Sequence, residues 1–160
     1  MRRLRFMWVV WSVCWAALVG MARADDKGHG EHVFVTPEKL HWAPGPGALP
    51  SGAEIAVLSG DPSKEGLFTI RVKMPDGYKV PPHWHPVDEN VTVLQGTFMM
   101  GTGEKFDADA ATALPVGGFG HMPKEKRHYA FAKGETILQI HSVGPFQINY
   151  VNPQDDPRKK

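Results

Sequence analysis

Gly77-Tyr78-Lys79-Val80-Pro81-Pro82-His83-Trp84-His85-Pro86-Val87-Asp88-Glu89-Asn90-Val91-Thr92-Val93-Leu94-Gln95-Gly96 is the stretch on which the reading turns. Residues two apart in a strand point to the same face, so His83 and His85 reach one side and Trp84 the other. Glu89 has the same parity, yet an extended chain would carry it about 13 Å beyond His85. One metal ion with bonds of about 2 Å cannot join groups that far apart. A bend is therefore required, and Pro86 supplies it, because proline fixes φ and donates no ladder hydrogen bond. Beyond the bend, Glu89, Val91 and Val93 share one face of a new strand. Asp76-Gly77 makes the turn before the stretch, and Gly96 is expected to end the second strand. Two imidazoles and a carboxylate on one side of a bent chain are candidate metal ligands, histidine being the commonest of them.

The chain around this stretch is punctuated by Gly and Pro at short intervals. Residues 53–58 read as a strand, residues 60–66 as a hairpin loop, and residues 67–74 as a half-buried strand. In that strand Phe68, Ile70, Val72 and Met74 share one face, and Thr69, Arg71 and Lys73 the other. Residues 97–100, 135–142 and 146–151 are further strands, and residues 33–35 are a short strand candidate. No stretch reads as a long helix. Regular short strands with this punctuation point to an all-β sandwich or barrel. Residues 135–142 place Ile137, Gln139 and His141 together, so Gln139 and His141 either line a pocket or mark a solvated face. Met74, Phe98, Met99, Met100, Met122, Phe131 and Phe146 supply an apolar, deformable interior.

Residues 1–24 have the layout of a secretory signal peptide: Arg2, Arg3 and Arg5, an apolar run with only Ser12 polar, and Ala22-Arg23-Ala24 as the cleavage site. Cleavage there leaves 136 residues in which 14 Lys and Arg face 17 Asp and Glu, a net charge of −3. No basic patch suggests nucleic acid. Cys14, the one cysteine, leaves with the signal, so the mature chain has no disulfide and no thiolate ligand. The expected organisation is a signal peptide over residues 1–24, an N-terminal arm over 25–52, a barrel over 53–151 and a polar C-terminal tail over 152–160. The expected location is periplasmic or secreted, without stable membrane association once the signal is removed. Gly28-His29-Gly30-Glu31-His32 reads as a polar terminus. Trp42 is expected to anchor the Pro/Gly-rich arm against the barrel.

The quoted stretch resembles the first sequence motif of the cupin family: a glycine, five residues, His-x-His, three or four residues, Glu, six residues and a glycine. Gly77, His83, His85, Glu89 and Gly96 all fit. The second cupin motif is a glycine, five residues, Pro-x-Gly, two residues, His, three residues and Asn. Gly117, Pro123 and His128 fit it, but Glu125 stands at its second glycine and Ala132 at its asparagine. The resemblance spans about residues 53–150 and implies a jelly-roll β-barrel with His128 as the fourth metal ligand. His121, in the strand before that turn, is the competitor. The family often forms homodimers, and Trp84, facing away from the ligands, is a candidate for an interface or for outer packing. The chain also resembles the cupin domain of some zinc-dependent anti-sigma factors, although nothing in it resembles their sigma-binding part.

The implied site is His83, His85, Glu89 and His128 around one divalent metal such as Fe, Mn, Zn or Ni, among which affinity does not choose. An octahedral ion would keep two positions open for a small organic substrate. The expected function is therefore a metal-dependent, dioxygenase-like oxidoreductase with Glu89 as ligand or proton acceptor. A binding or sensory module without turnover and a metal-dependent isomerase or lyase are the alternatives. Arg71 and Arg127 both point outward, so no arginine is expected beside the site.

Overall fold

The computed structural model describes residues 32–160. The expected signal peptide and most of the histidine-containing polar terminus lie outside them. No helix among the described residues is long and apolar enough to cross a membrane. Residues 33–160 form one compact unit built from nine strands: β1 (Ala43–Pro44), β2 (Glu54–Ser59), β3 (Gly66–Met74), β4 (Lys79–Trp84), β5 (Glu89–Thr102), β6 (Thr112–Leu114), β7 (Phe119–Met122), β8 (His128–Gly144) and β9 (Asn149–Tyr150). Three short 3-10 turns, at Pro37–Lys39, Pro153–Asp155 and Pro157–Lys159, complete it. The fold is the expected all-β jelly roll.

All pairings are antiparallel, and β8 is their spine. Along one edge β8 pairs with β5, from Asn90↔His141 to Thr102↔His128. Along the other edge it pairs first with β4, near Val80↔Ala130, and then with β3, from Met74↔Thr136 to Gly66↔Gly144. Strand β2 pairs with β3 around a hairpin loop of residues 60–65, and β6 and β7 pair with β5. The core lies between the two curled halves, with Phe68, Ile70, Val72 and Met74 buried from β3 as the alternation predicts. Val91 and Val93 of β5 and Leu138 and Ile140 of β8 meet them.

Two expectations fail, each for a physical reason. Gly96 does not end its strand: β5 runs through it to Thr102. Its ladder slips there instead, with register shifts between Val93 and Gln95 and between Gln95 and Thr97. Gly96 takes φ 74°, and a side chain at that position would run into the backbone carbonyl of Glu135. The slip changes the parity of the buried face. Glu89, Val91 and Val93 are buried before it, and Phe98 after it. Nor do residues 33–35 form a strand. Val33 and Phe34 remain 59% and 91% exposed, so pairing there would bury little. The next segment docks as expected: Trp42 lies under Lys73, whose Nζ is 4.8 Å from the ring centre.

Candidate metal centre

Strand β4 delivers His83 near its end, and the irregular residues 85–88 carry the bend that proline was expected to make. Pro81 and Pro82 matter as well. A register shift between Val80 and His83 turns both of those side chains toward the interior. The bend is tied to the turn before β8. Glu125 N donates to His85 O at 2.7 Å, and Lys124 N donates to Asp88 Oδ1 at 2.8 Å. Ser142 Oγ donates to Asp88 O at 2.5 Å. His128 is the first residue of β8 and Glu89 the first of β5. Two strand starts and one strand end thus meet at the same depth.

Glu125, which occupies the motif's second glycine position, adopts φ 63°. The turn therefore keeps the left-handed backbone that the glycine usually supplies, at a conformational cost. Ala132, at the motif's asparagine position, is simply buried in the core, 2% exposed.

His83, His85, Glu89 and His128 are all buried. One ring nitrogen from each histidine lies within 4.8 Å of those of the other two. Every histidine uses Nδ1 on a backbone carbonyl: His83 on Pro81 O at 2.7 Å, His85 on Gln147 O at 2.7 Å and His128 on Lys126 O at 2.9 Å. A carbonyl only accepts, so each Nδ1 carries the proton and each Nε2 is left with a lone pair. Those of His85 and His128 are buried without a hydrogen-bond partner. Glu89 Oε2 stands 3.5 Å from both, beyond good hydrogen-bond length. Buried unpartnered nitrogens are costly, and a divalent cation would satisfy them together with the carboxylate. The three histidines form a group that could hold a metal ion.

Without an ion, the electrostatics of the histidines divide. Burial, together with the neighbouring His128 and His85, pushes His83 down to about 3, so it is neutral at ordinary pH. Burial opposes protonation of His85 too, but the Glu89 carboxylate outweighs it and lifts His85 above its ordinary value. Glu89 itself is penalised by burial, yet His85 and His128 hold it below the usual carboxylate range. Phe146 stacks on His85 with ring centres 4.3 Å apart and planes 18° from parallel.

The site opens on a cavity of about 310 Å³ whose wall is mostly apolar, including Met74, Phe98, Met100, Leu138 and Phe146. The arm of residues 45–50 covers one side. Tyr150 Oη donates to Ala48 O at 2.7 Å and Tyr78 Oη to Pro50 O at 2.5 Å. Burial raises both phenols, Tyr150 to about 12, so both keep the proton they donate.

The other sequence candidates lie elsewhere. His121 is exposed, with Nδ1 2.9 Å from Asn90 Oδ1 on the outer face. Gln139 and His141 belong to that face too, where Arg71 Nε donates to Gln139 Oε1 at 3.1 Å and His141 Nδ1 lies 3.1 Å from Thr69 Oγ1. Arg127 faces solvent, paired with Glu104 at 3.0 Å. The expectation that no arginine approaches the site is corrected, because Arg158, from the C-terminal segment, lines the cavity. Its place depends on two 3-10 turns folding back, which local pattern does not reveal. Gln147 was also missed, since it acts through its backbone carbonyl and so leaves no side-chain signature.

These features define a cupin. Within that class, the chain belongs to the family of the ChrR cupin-like domain, whose model matches residues 30–147. No curated protein matches it. Among solved structures it is similar to a candidate acetylacetone dioxygenase of Methylibium petroleiphilum PM1, with 20% identity, 82% of this chain and 88% of the other covered, and a TM-score of 0.61. It is also similar to the polyketide cyclase RemF of Streptomyces resistomycificus, with 15% identity, coverage of 81% and 92%, and a TM-score of 0.62. A third similarity is to a chain of the Rhodobacter sphaeroides complex of SigE with the anti-sigma ChrR, with 22% identity, coverage of 67% and 51%, and a TM-score of 0.51. At these identities the likeness is one of fold.

Proposed function

We propose that this protein is an exported, periplasmic metalloenzyme that dioxygenates a small, metal-chelating organic molecule such as a diketone or phenol. The observation that carries the reading is the convergence of three buried imidazole nitrogens and the Glu89 carboxylate on the wall of a mostly apolar cavity. His83, His85 and His128 would hold the ion, with Glu89 as a fourth ligand or as the group that takes the substrate's proton. A bound Fe or Mn would supply a Lewis-acid and redox centre for the chelating oxygens. The mostly apolar wall, to which Pro46, Ala48 and Leu49 of the arm contribute, suits an apolar substrate body. The fold-level likeness to a candidate acetylacetone dioxygenase lends support to a diketone.

Fe- or Mn-loaded protein of verified occupancy, offered a panel of diketones and phenols in an oxygen-electrode cell, is expected to consume oxygen and form product. Product without oxygen uptake would assign an isomerase or lyase. Tight metal retention with neither product nor uptake across the panel would assign a binding or sensory module.

A further inference from the structure

Arg158 is the one Lys or Arg side chain lining the cavity among the described residues. Its guanidinium is held in a fixed plane. Nε donates to Asp156 Oδ1 at 2.7 Å, and Nη2 donates to Asp156 Oδ2 at 2.9 Å and to Ile148 O at 3.0 Å. Asp156 is itself buried, and its Oδ1 also accepts from Arg158 N at 3.1 Å, so the carboxylate is anchored in turn. Those bonds occupy one edge of the fork and leave the two N–H groups of Nη1 unused. Arg158 lines the cavity, and its side chain is 46% exposed. A guanidinium fixed in plane, with Nη1 left to donate, on a mostly apolar wall suits an oxygen anion.

We propose that Arg158 is a specificity-determining residue: the ligand of this cavity has an apolar body and carries a carboxylate, which accepts from Nη1 of the Arg158 guanidinium. The Asp156 partner makes this a modest preference, since it offsets the full charge while fixing the direction of the donors. The proposal deepens the substrate reading above and rests on the cavity being the ligand site, whichever metal is held.

The test compares octanoate with octanol, which share an apolar chain and differ in the head group, by calorimetric titration of the mature protein as purified, with its metal content measured in parallel. The wild type is expected to prefer octanoate by about tenfold, the scale of one charge-assisted hydrogen bond at a half-exposed site. Arg158→Gln is expected to remove most of that preference and Arg158→Lys to retain part of it, with octanol binding unchanged. A purely structural role, acting through Ile148 and the neighbouring Gln147 carbonyl, would weaken both probes alike and would overturn the proposal. So would a preference that survives Arg158→Gln but disappears in His85→Gln, which would place the carboxylate at the histidines. Failure of both probes to bind the wild type also rejects it. A site without metal in the parallel measurement would instead count against the metalloenzyme reading and leave the Arg158 ratio intact.

Discussion

At His83, His85 and His128 the same local device recurs: Nδ1–H is spent on a backbone carbonyl, which selects the tautomer and aims Nε2 inward. Such orientation is built into the backbone, because the carbonyls belong to β4, to the turn before β8 and to the segment before β9. A cation bridging separate strands should therefore stabilise the fold by mass action. Chelator treatment is expected to lower the melting temperature of wild-type protein by several degrees and to leave a His85→Ala/His128→Ala variant unmoved. His121→Ala should behave like wild type. A folded double variant with full metal content after chelation would refute the site. The metal-free protein also carries a pH signature. His83 has a folded pKa near 3, below its ordinary value of 6.5, so between those limits the unfolded chain binds the extra proton. Stability then rises with pH across that window and is lost as pH falls, by about 1.4 kcal/mol for each pH unit from this one group. Glu89, also depressed, acts in the same sense, its contribution being present above the unfolded carboxylate range and lost toward acid. His85 is raised, so its contribution runs the other way and is lost as pH climbs past its elevated value. Urea unfolding of metal-free protein should show a steep loss of stability from pH 6.5 to 4.5, flattened in His83→Gln; an equal slope in both would remove His83 as its source.

At the scale of elements, the bends do the positioning. Strand β5 slips at Gly96, and β8 passes Gly134, also at positive φ, 75°, over the same span of the pairing. One continuous pair of strands thereby serves both halves of the barrel. Tyr129 is buried with its ring where a side chain on Gly101 would have to go, and its Oη donates to Asp107 O at 2.6 Å, tying the loop after β5 to β8. The turn before β8 shows how a motif departure is absorbed. Glu125 accepts the left-handed conformation because its N–H is needed by His85 O and the segment is pinned by Asp88. An L-residue pays about 1–2 kcal/mol for that conformation. Glu125→Gly is expected to raise unfolding stability by about 1 kcal/mol after glycine's entropic cost, without loss of metal. A neutral or destabilising result in urea titration would mean that the glutamate side chain compensates for the strain. In β5 the shared face of Glu89, Val91 and Val93 and a strand over residues 97–100 were legible, but the slip joining the two runs into one strand depends on Glu135 and Thr136 across the ladder.

For the whole molecule, the expected export rests on residues 1–24, whose positive start, apolar run and Ala22-Arg23-Ala24 site form a cleavable signal pattern. Mass spectrometry of protein recovered from the periplasm is expected to find Asp25 as the first residue; full-length protein retained in the membrane would overturn this. The sequence by itself determined the class of fold and the four candidate ligands. Whereas His128 entered through the resemblance of Gly117, Pro123 and His128 to the family's second motif, His-x-His spacing and the need for a bend before Glu89 are local properties, set by strand parity and by proline. The buried face of β3 was legible for the same reason. Only the tertiary structure decided which faces of β7 and β8 meet water, and so removed His121, Gln139 and His141 from the site. It alone brought Arg158 and the Gln147 carbonyl to the cavity. Those placements come from the return of the C-terminal segment to the cavity, where Arg158 donates to Ile148 O. Contacts between residues far apart in sequence depend on how the strands pair, and no short-range pattern encodes them.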